Sequence, residues 1–324
     1  MLDLFSGIGG FSLGLQKANK PIGWHGFSEI DKFANKLYKR RFPNAKELGS
    51  IENVSYKSLN EQRLDLLTGG FPCQSFSIAG KRQGFKDTRG TLFFEIERIL
   101  RDYIENEKPI PCILLENVKG LLSHDNKRTF TTIYKVLTDL NYTIECQVVN
   151  TRWFLPQNRE RIFIFGRYNG NPSGQKVFPI KQNERKIKRN GQKVSISNSS
   201  PREFGWRDVS PALCARDYKD PKLVKVADFR NDEGLRIRKN NVSPCLSNRR
   251  HSETDLSTMP PIVSESFNKS SNIRRLTPIE CERLQGFPDH WTDEQSNTQR
   301  YKQLGNAVSV PVITEIMKRI YNES

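Results

Sequence analysis

The sequence predicts an α/β protein with a doubly wound, mostly parallel sheet and a smaller second lobe. The chain opens with a strand-like run at 2–5, a glycine turn at 6–10 and an amphipathic stretch from Phe11 to Ala18, which is the order strand, turn, helix of a nucleotide-binding unit. From 169 to 273 the apolar periodicity fades, and Ser, Asn, Pro, Lys and Arg dominate. At 324 residues the chain is long enough for one large core plus a smaller lobe.

The opening unit indicates a site for a nucleoside-type cofactor. Glycines let the backbone approach a ligand closely at the start of a helix. A second strand is predicted from Ile22 to Phe27, and Glu29 follows it where a carboxylate would bind a ribose hydroxyl. No Gly-x-Gly-x-x-Gly is present, so a nicotinamide or flavin site is disfavoured. Taken alone, the turn is equally well explained as an ordinary tight turn.

A cysteine follows the next strand. The apolar run Leu64–Leu67 predicts this strand, and the chain leaves it through Gly69 and Gly70. Pro72 stiffens the turn, so Cys73 is presented at the carboxyl end of the sheet as a nucleophile would be. Taken alone, a buried, unreactive cysteine is the commoner interpretation.

An acidic and a basic segment follow. The run Ile113–Val118 brings Glu116 to a strand end, where it is either solvated or has its pKa raised by burial. Arg159 and Arg161 are two residues apart at the start of another strand, so they point to the same face. Two surface arginines would give the same pattern.

Near the C-terminus the sequence predicts two helices. Thr277 and Glu280 form a capping box with proline at the first helical position, and Gly286 ends that helix. The segment 303–308 leads into a closing helix that runs to about Tyr321. Spacing alone gives no role to Asn306, which lies in that segment.

Together these segments resemble the cytosine-C5 DNA methyltransferases of bacterial or phage restriction-modification type. The resemblance is carried by the motifs at 3–10, 70–74, 116–118, 157–161, 275–278 and 303–306, in the family's order and approximate spacing. It implies a Rossmann-like catalytic domain at 1–168, a mostly β and loop target-recognition domain at 169–273, and C-terminal helices at 274–324 that return to the catalytic domain.

The resemblance implies an enzyme that methylates C5 of a cytosine in duplex DNA through a covalent bond between Cys73 and C6. Glu116 would protonate or hydrogen-bond N3 of the base, and Arg161 would hold the base carbonyl with Arg159 as a companion. The implied donor is S-adenosyl-L-methionine, with S-adenosyl-L-homocysteine as the product. The residues expected at the donor site are Phe5, Gly7, Gly9, Glu29, Ile30, Ser50, Ile51, Pro72 and Asn306. Many relatives have an aspartate after the third strand, where this chain has Ser50-Ile51.

The target carbon lies inside the base stack, so the cytosine must rotate out of the duplex. The polar, glycine-rich stretch 75–90 is expected to close over the DNA as a lid, although an ordinary mobile loop would have the same composition. The residues expected to contact DNA around the nucleophile are Gln74, Ser77, Lys81, Arg82 and Arg89.

An internal repeat within 169–273 contains the candidate base-reading residues. The segment 209–216 resembles 242–249, and each predicts a strand, a polar loop and a strand. Arginine and asparagine read guanine and adenine edges, whereas most protein–DNA hydrogen bonds go to phosphate. We expect the second unit to read bases and the first to bind phosphates. The DNA-contacting residues expected in the two loops are Arg216, Tyr218, Asn248, Arg249 and Arg250.

Composition supports a polyanionic partner. The net charge is +16 and the isoelectric point is about 9.6, which favours double-stranded DNA. No membrane-length apolar run or signal peptide is present, and the six cysteines form no Cys-x-x-Cys pair, so neither a membrane nor a metal is expected. We expect a monomer in a reducing prokaryotic cytoplasm, associated with the nucleoid, with any cognate restriction endonuclease acting independently.

The sequence leaves three alternatives open. A tRNA cytosine-C5 methyltransferase would share the catalytic motifs, but the large basic segment at 169–273 favours duplex DNA. A nucleotide-dependent oxidoreductase is disfavoured by the missing glycine fingerprint. A DNA-binding regulator without catalysis is disfavoured because Cys73, Glu116 and Arg161 are all present.

Overall fold

The computed structural model describes residues 1–72, 92–170, 176–181, 195–197, 210–213, 215, 223–225, 227–230, 234–237 and 273–321. The strands are β1 (Leu2–Leu4), β2 (Gly26–Ser28), β3 (Lys46–Glu47), β4 (Leu66–Gly70), β5 (Cys112–Val118), β6 (Tyr142–Asn150), β7 (Gln157–Asn158), β8 (Glu160–Tyr168), β9 (Ser195–Ser197), β10 (Ser210–Pro211), β11 (Leu223–Lys225), β12 (Ala227–Arg230), β13 (Gly234–Ile237) and β14 (Ile273–Arg275). The α-helices are α1 (Gly10–Lys17), α2 (Lys32–Arg41), α3 (Leu92–Glu105), α4 (Arg128–Asp139), α5 (Pro278–Gln285), α6 (Asn297–Asn306) and α7 (Val310–Tyr321).

A seven-stranded sheet forms the centre of the molecule, with the order β3-β2-β1-β4-β5-β8-β6. The first five strands in this order, β3-β2-β1-β4-β5, pair in parallel, whereas β8 lies antiparallel between β5 and β6. The strand order reverses between β1 and β4, so the carboxyl ends of these two strands border the crevice where doubly wound sheets bind ligands. The predicted fold class is confirmed.

Helices cover both faces of this sheet. Alternate residues along each strand point to opposite faces, so Leu67 and Leu115 join a first core cluster with the buried residues of α3 and α4. Leu66 and Leu114 join a second cluster with residues of α1 and α7. A third cluster connects α2 with the C-terminal helices and includes Leu213 from the middle of the chain.

The local sequence signals predict both ends of α5 correctly. Thr277 caps α5 in a capping box, and Gly286 ends that helix at φ 79°, as predicted. The predicted closing helix is α7. In contrast, the stretch expected to lead into it is itself helical to Asn306, because Ser296 caps an additional helix, α6, by accepting a hydrogen bond from the Gln299 N–H.

Two strands differ in extent from their predictions. The strand predicted at 64–67 is β4, which continues through Gly69 and Gly70 because these glycines pair with Leu115 and Glu116 of β5. The strand predicted at 22–27 is shorter and forms only at Gly26–Ser28, where it pairs with β1. Both changes follow from tertiary pairing, which decides strand ends more strongly than residue preference does.

The described residues of the middle segment contact the main sheet region at two places. β10 pairs in parallel with β7, and residues 177–180 bury apolar side chains in the second cluster. The remaining described strands pair as β14-β11-β9 and as the hairpin β12-β13. In the first repeat, β10 and β11 lie where strands were predicted, and the second repeat at 242–249 lies outside the described residues. The proposed domain boundaries stay a prediction.

Candidate active site

The sheet brings the predicted functional segments to one edge. The parallel strands β1, β2, β4 and β5 end on that edge, and the antiparallel β8 begins there. Residues more than a hundred positions apart in sequence therefore become neighbours. The site has two sides, one at the ends of β1 and β2 and the other at the ends of β4 and β5.

The turn after β1 has the backbone geometry that its glycines predict. Phe5, Gly7 and Gly9 all have positive φ angles, of 52°, 53° and 85°. A methyl group built on Gly7 would meet no atom within 4 Å, so this position faces open space. At Gly9 the same methyl group would lie 2.3 Å from the ring of Phe42, so a side chain there would have to displace that ring.

Glu29 ties the end of β2 to this turn. Its Oε2 accepts a hydrogen bond from the Gly7 N–H at 2.8 Å, and its Oε1 accepts from the N–H groups of Ile30 and Asp31, both at 2.8 Å. A carboxylate has about four acceptor positions, so Glu29 keeps capacity for a hydroxyl donor. Ile30 is 81% exposed, which offers an apolar contact beside that carboxylate. These features fit a nucleoside with free ribose hydroxyls.

The other predicted residues of this side lie at different depths. Ser50 precedes the short 3₁₀ helix Ile51–Asn53, and the Ile51 side chain is buried in the first core cluster. Asn306 is exposed at the end of α6. Lys302 of the same helix donates to Asp31 Oδ2 at 2.7 Å, while Asp31 Oδ1 caps α2. Asp31 therefore holds α6 beside the end of β2.

The turn that leads to the nucleophile position is held from β5. Asn117 donates through Nδ2 to the carbonyl oxygen of Phe71 at 2.9 Å, and both residues are buried. Gly70 pairs with Glu116, and a methyl group built on Gly70 would lie 3.2 Å from Glu116 Oε2. The glycine thus lets the carboxylate lie close to the strand that precedes the predicted nucleophile. Pro72 is exposed and is the last described residue before Cys73.

Glu116 and Arg161 form an ion pair at this edge. The Nε of Arg161 lies 3.0 Å from Oε1 of Glu116, and the two side chains are 20% and 11% exposed. Arg161 stands opposite Val118 in the β5–β8 pair, and Val118 and Glu116 share a face because they are two residues apart. The two charged groups are therefore diagonal neighbours, an arrangement that places side chains in contact.

The environment of Glu116 raises its pKa. Burial raises the pKa of this carboxyl above its ordinary value, and the positive charges of Arg161 and Arg159 partly oppose that effect. A buried carboxylate with a raised pKa and a fixed cationic partner suits proton transfer or hydrogen bonding to a substrate.

Arg159 is buried near the same carboxylate. It donates from Nη1 to the carbonyl oxygen of Leu213 at 2.7 Å and from Nη2 to that of Ala307 at 2.9 Å. Arg159 and Arg161 therefore both act on Glu116 through their charge, while their hydrogen bonds go to different partners.

Several expected functional residues lie outside the described part of the chain. These are Cys73, Gln74, Ser77, Lys81, Arg82, Arg89, Arg216, Tyr218, Asn248, Arg249 and Arg250. Their proposed roles stay predictions.

Three buried or half-buried polar residues that organise the site were given no role from sequence. Asp31 and Asn117 hold α6 and the Phe71 turn, as described above. Asp3 is fully buried under the glycine turn and accepts hydrogen bonds from Ser12, Tyr38 and Thr68 at 2.8–3.0 Å. A charged residue inside the apolar run of β1 was the available signal for Asp3, since such residues are almost never buried without partners.

Within the described ranges, no group of three or more metal-ligating side chains is present. In that same part of the chain, no helix has the length and apolar character that a membrane crossing requires.

A family model and curated relatives match nearly the whole chain. The model of C-5 cytosine-specific DNA methylases matches residues 1–322. Type II methyltransferase M1.ScrFI of Lactococcus lactis subsp. cremoris is 38% identical over 324 residues, which is 99% of this chain and 77% of the relative. M.SsoII of Shigella sonnei is also 38% identical, over 99% of this chain and 79% of the relative. M.HpaII of Haemophilus parainfluenzae is 36% identical, over 98% and 88%.

Solved structures share the fold. The S. pombe Dnmt2 methyltransferase superposes with a TM-score of 0.65 at 22% identity, covering 98% of this chain and 96% of that one. A variant of Spodoptera frugiperda DNMT2 gives a TM-score of 0.64 at 21% identity, covering 99% and 98%.

Proposed function

Since the chain belongs to the family of C-5 cytosine-specific DNA methylases, we propose that it methylates a cytosine rotated out of duplex DNA, with Cys73 as the nucleophile and S-adenosyl-L-methionine as the donor. The pair of buried Glu116 and half-buried Arg161 supports this proposal most directly, because it lies beside the strand that leads to Cys73.

The family and the relatives make the chain a DNA cytosine-5 methyltransferase and favour DNA over tRNA as the substrate. The family model is described as that of C-5 cytosine-specific DNA methylases, and the curated relatives are named Type II methyltransferases. Both agree with the net charge of +16, which suits a polyanion.

The chemistry follows from the low nucleophilicity of cytosine C5. Addition of the Cys73 thiolate forms a bond to C6 and breaks the C5–C6 double bond, so its electron pair becomes available at C5. Glu116 in its protonated form donates to N3 and draws electron density from C6. Arg161, fixed by Glu116, donates to the base carbonyl. After C5 is methylated, loss of its proton and expulsion of the thiolate restore the ring.

The turn after β1 is the proposed donor site. Glu29 would accept from a ribose hydroxyl at its remaining acceptor position, and Ile30 would cover the adenine. Phe5, Gly7, Gly9, Ser50, Ile51, Pro72 and Asn306 complete the proposed lining. When bound, the donor supplies a methyl group on a positively charged sulfonium, which is electrophilic enough for the carbon made nucleophilic by Cys73.

We further propose that the enzyme works as a monomer and modifies the sites of a separate restriction endonuclease. The Type II names of the relatives support such a pairing. The residues from 75 to 90 would close over the DNA, and the loops at 216–218 and 248–250 would contact it.

The test is the chemistry of Cys73. Cys73→Ser should abolish methylation, because an alkoxide forms far less readily than a thiolate. The matched control is Cys146→Ser, at an exposed cysteine on β6, which should keep full activity. Methylation would be mapped by bisulfite sequencing of DNA from a host without its own cytosine methylation.

A trapping experiment adds a direct readout. With the donor present, duplex DNA containing 5-fluorocytosine should form a stable covalent adduct with the unmodified enzyme, since fluorine cannot leave as a proton would. The Cys73→Ser variant should form none. Normal methylation by that variant, or an adduct mapped to another residue, would remove Cys73 as the nucleophile.

A further inference from the structure

The side chain of Arg159 joins two distant parts of the chain. It is only 2% exposed, and it donates to the carbonyl oxygen of Leu213 at 2.7 Å and to that of Ala307 at 2.9 Å. Leu213 belongs to the middle of the chain and Ala307 to its C-terminal part. One guanidinium group therefore connects segments that are 94 residues apart in sequence (307 − 213).

The first of these partners is docked on the sheet region independently of the arginine. β10 pairs with β7, immediately before Arg159, and the side chain of Leu213 is buried in the third core cluster. The strand pairing and the buried leucine fix the segment 210–213 beside Arg159. These contacts hold the carbonyl oxygen of Leu213 in place for the hydrogen bond from Arg159.

The second partner lies at the proposed donor site. Ala307 caps α6 directly after its last residue, Asn306, and donates its N–H to the carbonyl oxygen of Gln303 at 2.9 Å. The same helix is tied to the end of β2 through Lys302 and Asp31. A hydrogen bond to the Ala307 carbonyl therefore sets the position of the helix end that carries Asn306.

The chemistry of arginine suits a bridge of this kind. A guanidinium is planar and presents its N–H donors in a fixed fork. Two carbonyl oxygens that accept from separate nitrogens are therefore held at a set distance from each other. Hydrogen bonds to a charged donor in a buried place are stronger than neutral ones. Lysine carries the same charge on a single nitrogen and cannot reproduce the fork.

We propose that Arg159 is a positioning residue that couples docking of the segment 210–213 to the donor-side end of α6. In this role it transmits the binding of the donor to the segment that leads into the first DNA-contacting loop at 216–218. The inference rests on the proposed function in taking S-adenosyl-L-methionine as the donor, the end of α6 as part of its site and 216–218 as a DNA-contacting loop. It differs from the sequence expectation that Arg159 accompanies Arg161 at the base carbonyl.

Hydrogen–deuterium exchange on the full chain tests the coupling without any substitution. Addition of S-adenosyl-L-homocysteine should slow exchange both in peptides that cover 303–310 and in peptides that cover 208–215. Protection confined to 303–310 would overturn the proposal, because the donor would then act on α6 without reaching the docked segment.

Two substitutions test whether the coupling needs the forked donor geometry of the Arg159 guanidinium or only its positive charge. Arg159→Lys keeps the charge and Arg159→Gln removes it, and in both variants we expect S-adenosyl-L-homocysteine to protect 303–310 but no longer 208–215. We also expect the Kd for S-adenosyl-L-homocysteine, measured by calorimetry, to rise about tenfold, which equals about 1.4 kcal/mol. A lysine variant that retained both protections and the original Kd would contradict the proposed role.

The matched controls are Arg101→Lys and Arg101→Gln. Arg101 is a half-exposed arginine on α3 that pairs with Glu97 of the same helix, and these variants should keep the joint protection and the Kd.

Failure of the proposed function gives a different result: if the donor site lies elsewhere, the product binds to the unmodified enzyme without protecting 303–310, or does not bind.

Discussion

At the scale of single residues, Glu116 is the carboxyl group whose protonation state is linked most directly to the proposed reaction. Glu116→Gln keeps a hydrogen-bond donor for N3 but cannot transfer a proton. We expect turnover to fall about 10²- to 10⁴-fold, the usual contribution of a positioned acid or base, with Kd values for donor and DNA little changed. Single-turnover rates and equilibrium binding would separate the two effects.

The pH dependence of that reaction has a defined sign. The protonated form of Glu116 is active and exists below its pKa, so the rate should fall as pH rises through that value. Burial raises the pKa of Glu116, which moves the loss to higher pH than for an ordinary glutamate. The glutamine variant should lack this limb of the profile. A limb that persists unchanged in Glu116→Gln would assign it to another group.

Asp3 gives a prediction for stability. Burial raises the pKa of Asp3 from 3.8 to about 7, although hydrogen bonds from Thr68, Tyr38 and Ser12 oppose the shift. Between these two values the folded chain keeps a proton that the unfolded chain has lost. The free energy of unfolding should therefore decrease, through this group, as pH rises from about 4 to about 7.

Asp3→Asn removes this titration, so the variant should gain stability relative to the unmodified protein as pH rises across that range. Urea unfolding at pH 5 and pH 8 would measure the difference. His25, whose pKa burial lowers to about 4, contributes the opposite slope below about 6.5 and is present in both proteins, so its contribution cancels in the comparison. Asp139→Asn, at an exposed position on α4, is the control and should leave the pH dependence unchanged.

At the scale of elements, the close packing of α1 against α7 depends on one glycine. A methyl group built on Gly14 would lie 2.4 Å from Cγ2 and 2.7 Å from Cβ of Ile313. Gly14→Ala should therefore destabilise the protein by about 1–3 kcal/mol through overpacking, although alanine favours an isolated helix by about 1 kcal/mol. Thermal or urea unfolding would measure the change.

A second substitution shows whether the clash is the cause. In the background of Gly14→Ala, Ile313→Ala removes Cγ2, the nearer of the two atoms that the methyl group would hit, and leaves a side chain that can move away more easily. The double variant should therefore lose less stability than the sum of the two single changes. Gly23→Ala is the matched control, because a methyl group there meets no atom within 4 Å. Additive losses in the double variant would show that Gly14 matters for another reason.

How far the sequence predicts these elements depends on the range of the interactions that form them. The capping box at Thr277 and the stop at Gly286 are local, and both were predicted correctly. The extension of β4 through its glycines depends on pairing with β5, and glycine alone argues against a strand. The Glu116–Arg161 pair depends on the insertion of β8 between β5 and β6, which no spacing within one segment can indicate. The motif resemblance, rather than local pattern, brought these two residues together.

At the scale of the whole molecule, we expect both the net charge of the chain and the docked segment 210–213 to contribute to DNA binding. The net charge of +16 favours any duplex and makes affinity fall as salt rises, but it carries no sequence information. Recognition must come from loops held at a defined distance from the catalytic edge. The segment that precedes the first predicted loop is tethered there, because β10 pairs with β7 and Leu213 is buried in the third core cluster.

This tether supports a division of roles between the two repeat loops. Because the preceding segment is docked at the catalytic edge, we expect the first loop to contact phosphates next to the target, and such contacts fix orientation rather than sequence. The second loop contains side chains of the types that read adenine and guanine, namely Asn248, Arg249 and Arg250. Arg249→Ala and Arg250→Ala should therefore change or relax the methylated sequence, at about 1–3 kcal/mol per lost base contact. Arg216→Ala should weaken binding to all sequences alike and reduce the slope of log K against log salt by about 1.

Site mapping and salt titration distinguish these outcomes. Bisulfite sequencing of DNA from cells that express each variant gives the methylated sequence, and binding at several salt concentrations gives the slope. An altered target for Arg216→Ala together with an unaltered target for both second-loop variants would reverse the assignment, and the first loop would then be the one that reads bases. Because a phosphate contact changes the salt slope and a lost base contact changes the target, each variant is assigned by two measurements that do not depend on its overall activity.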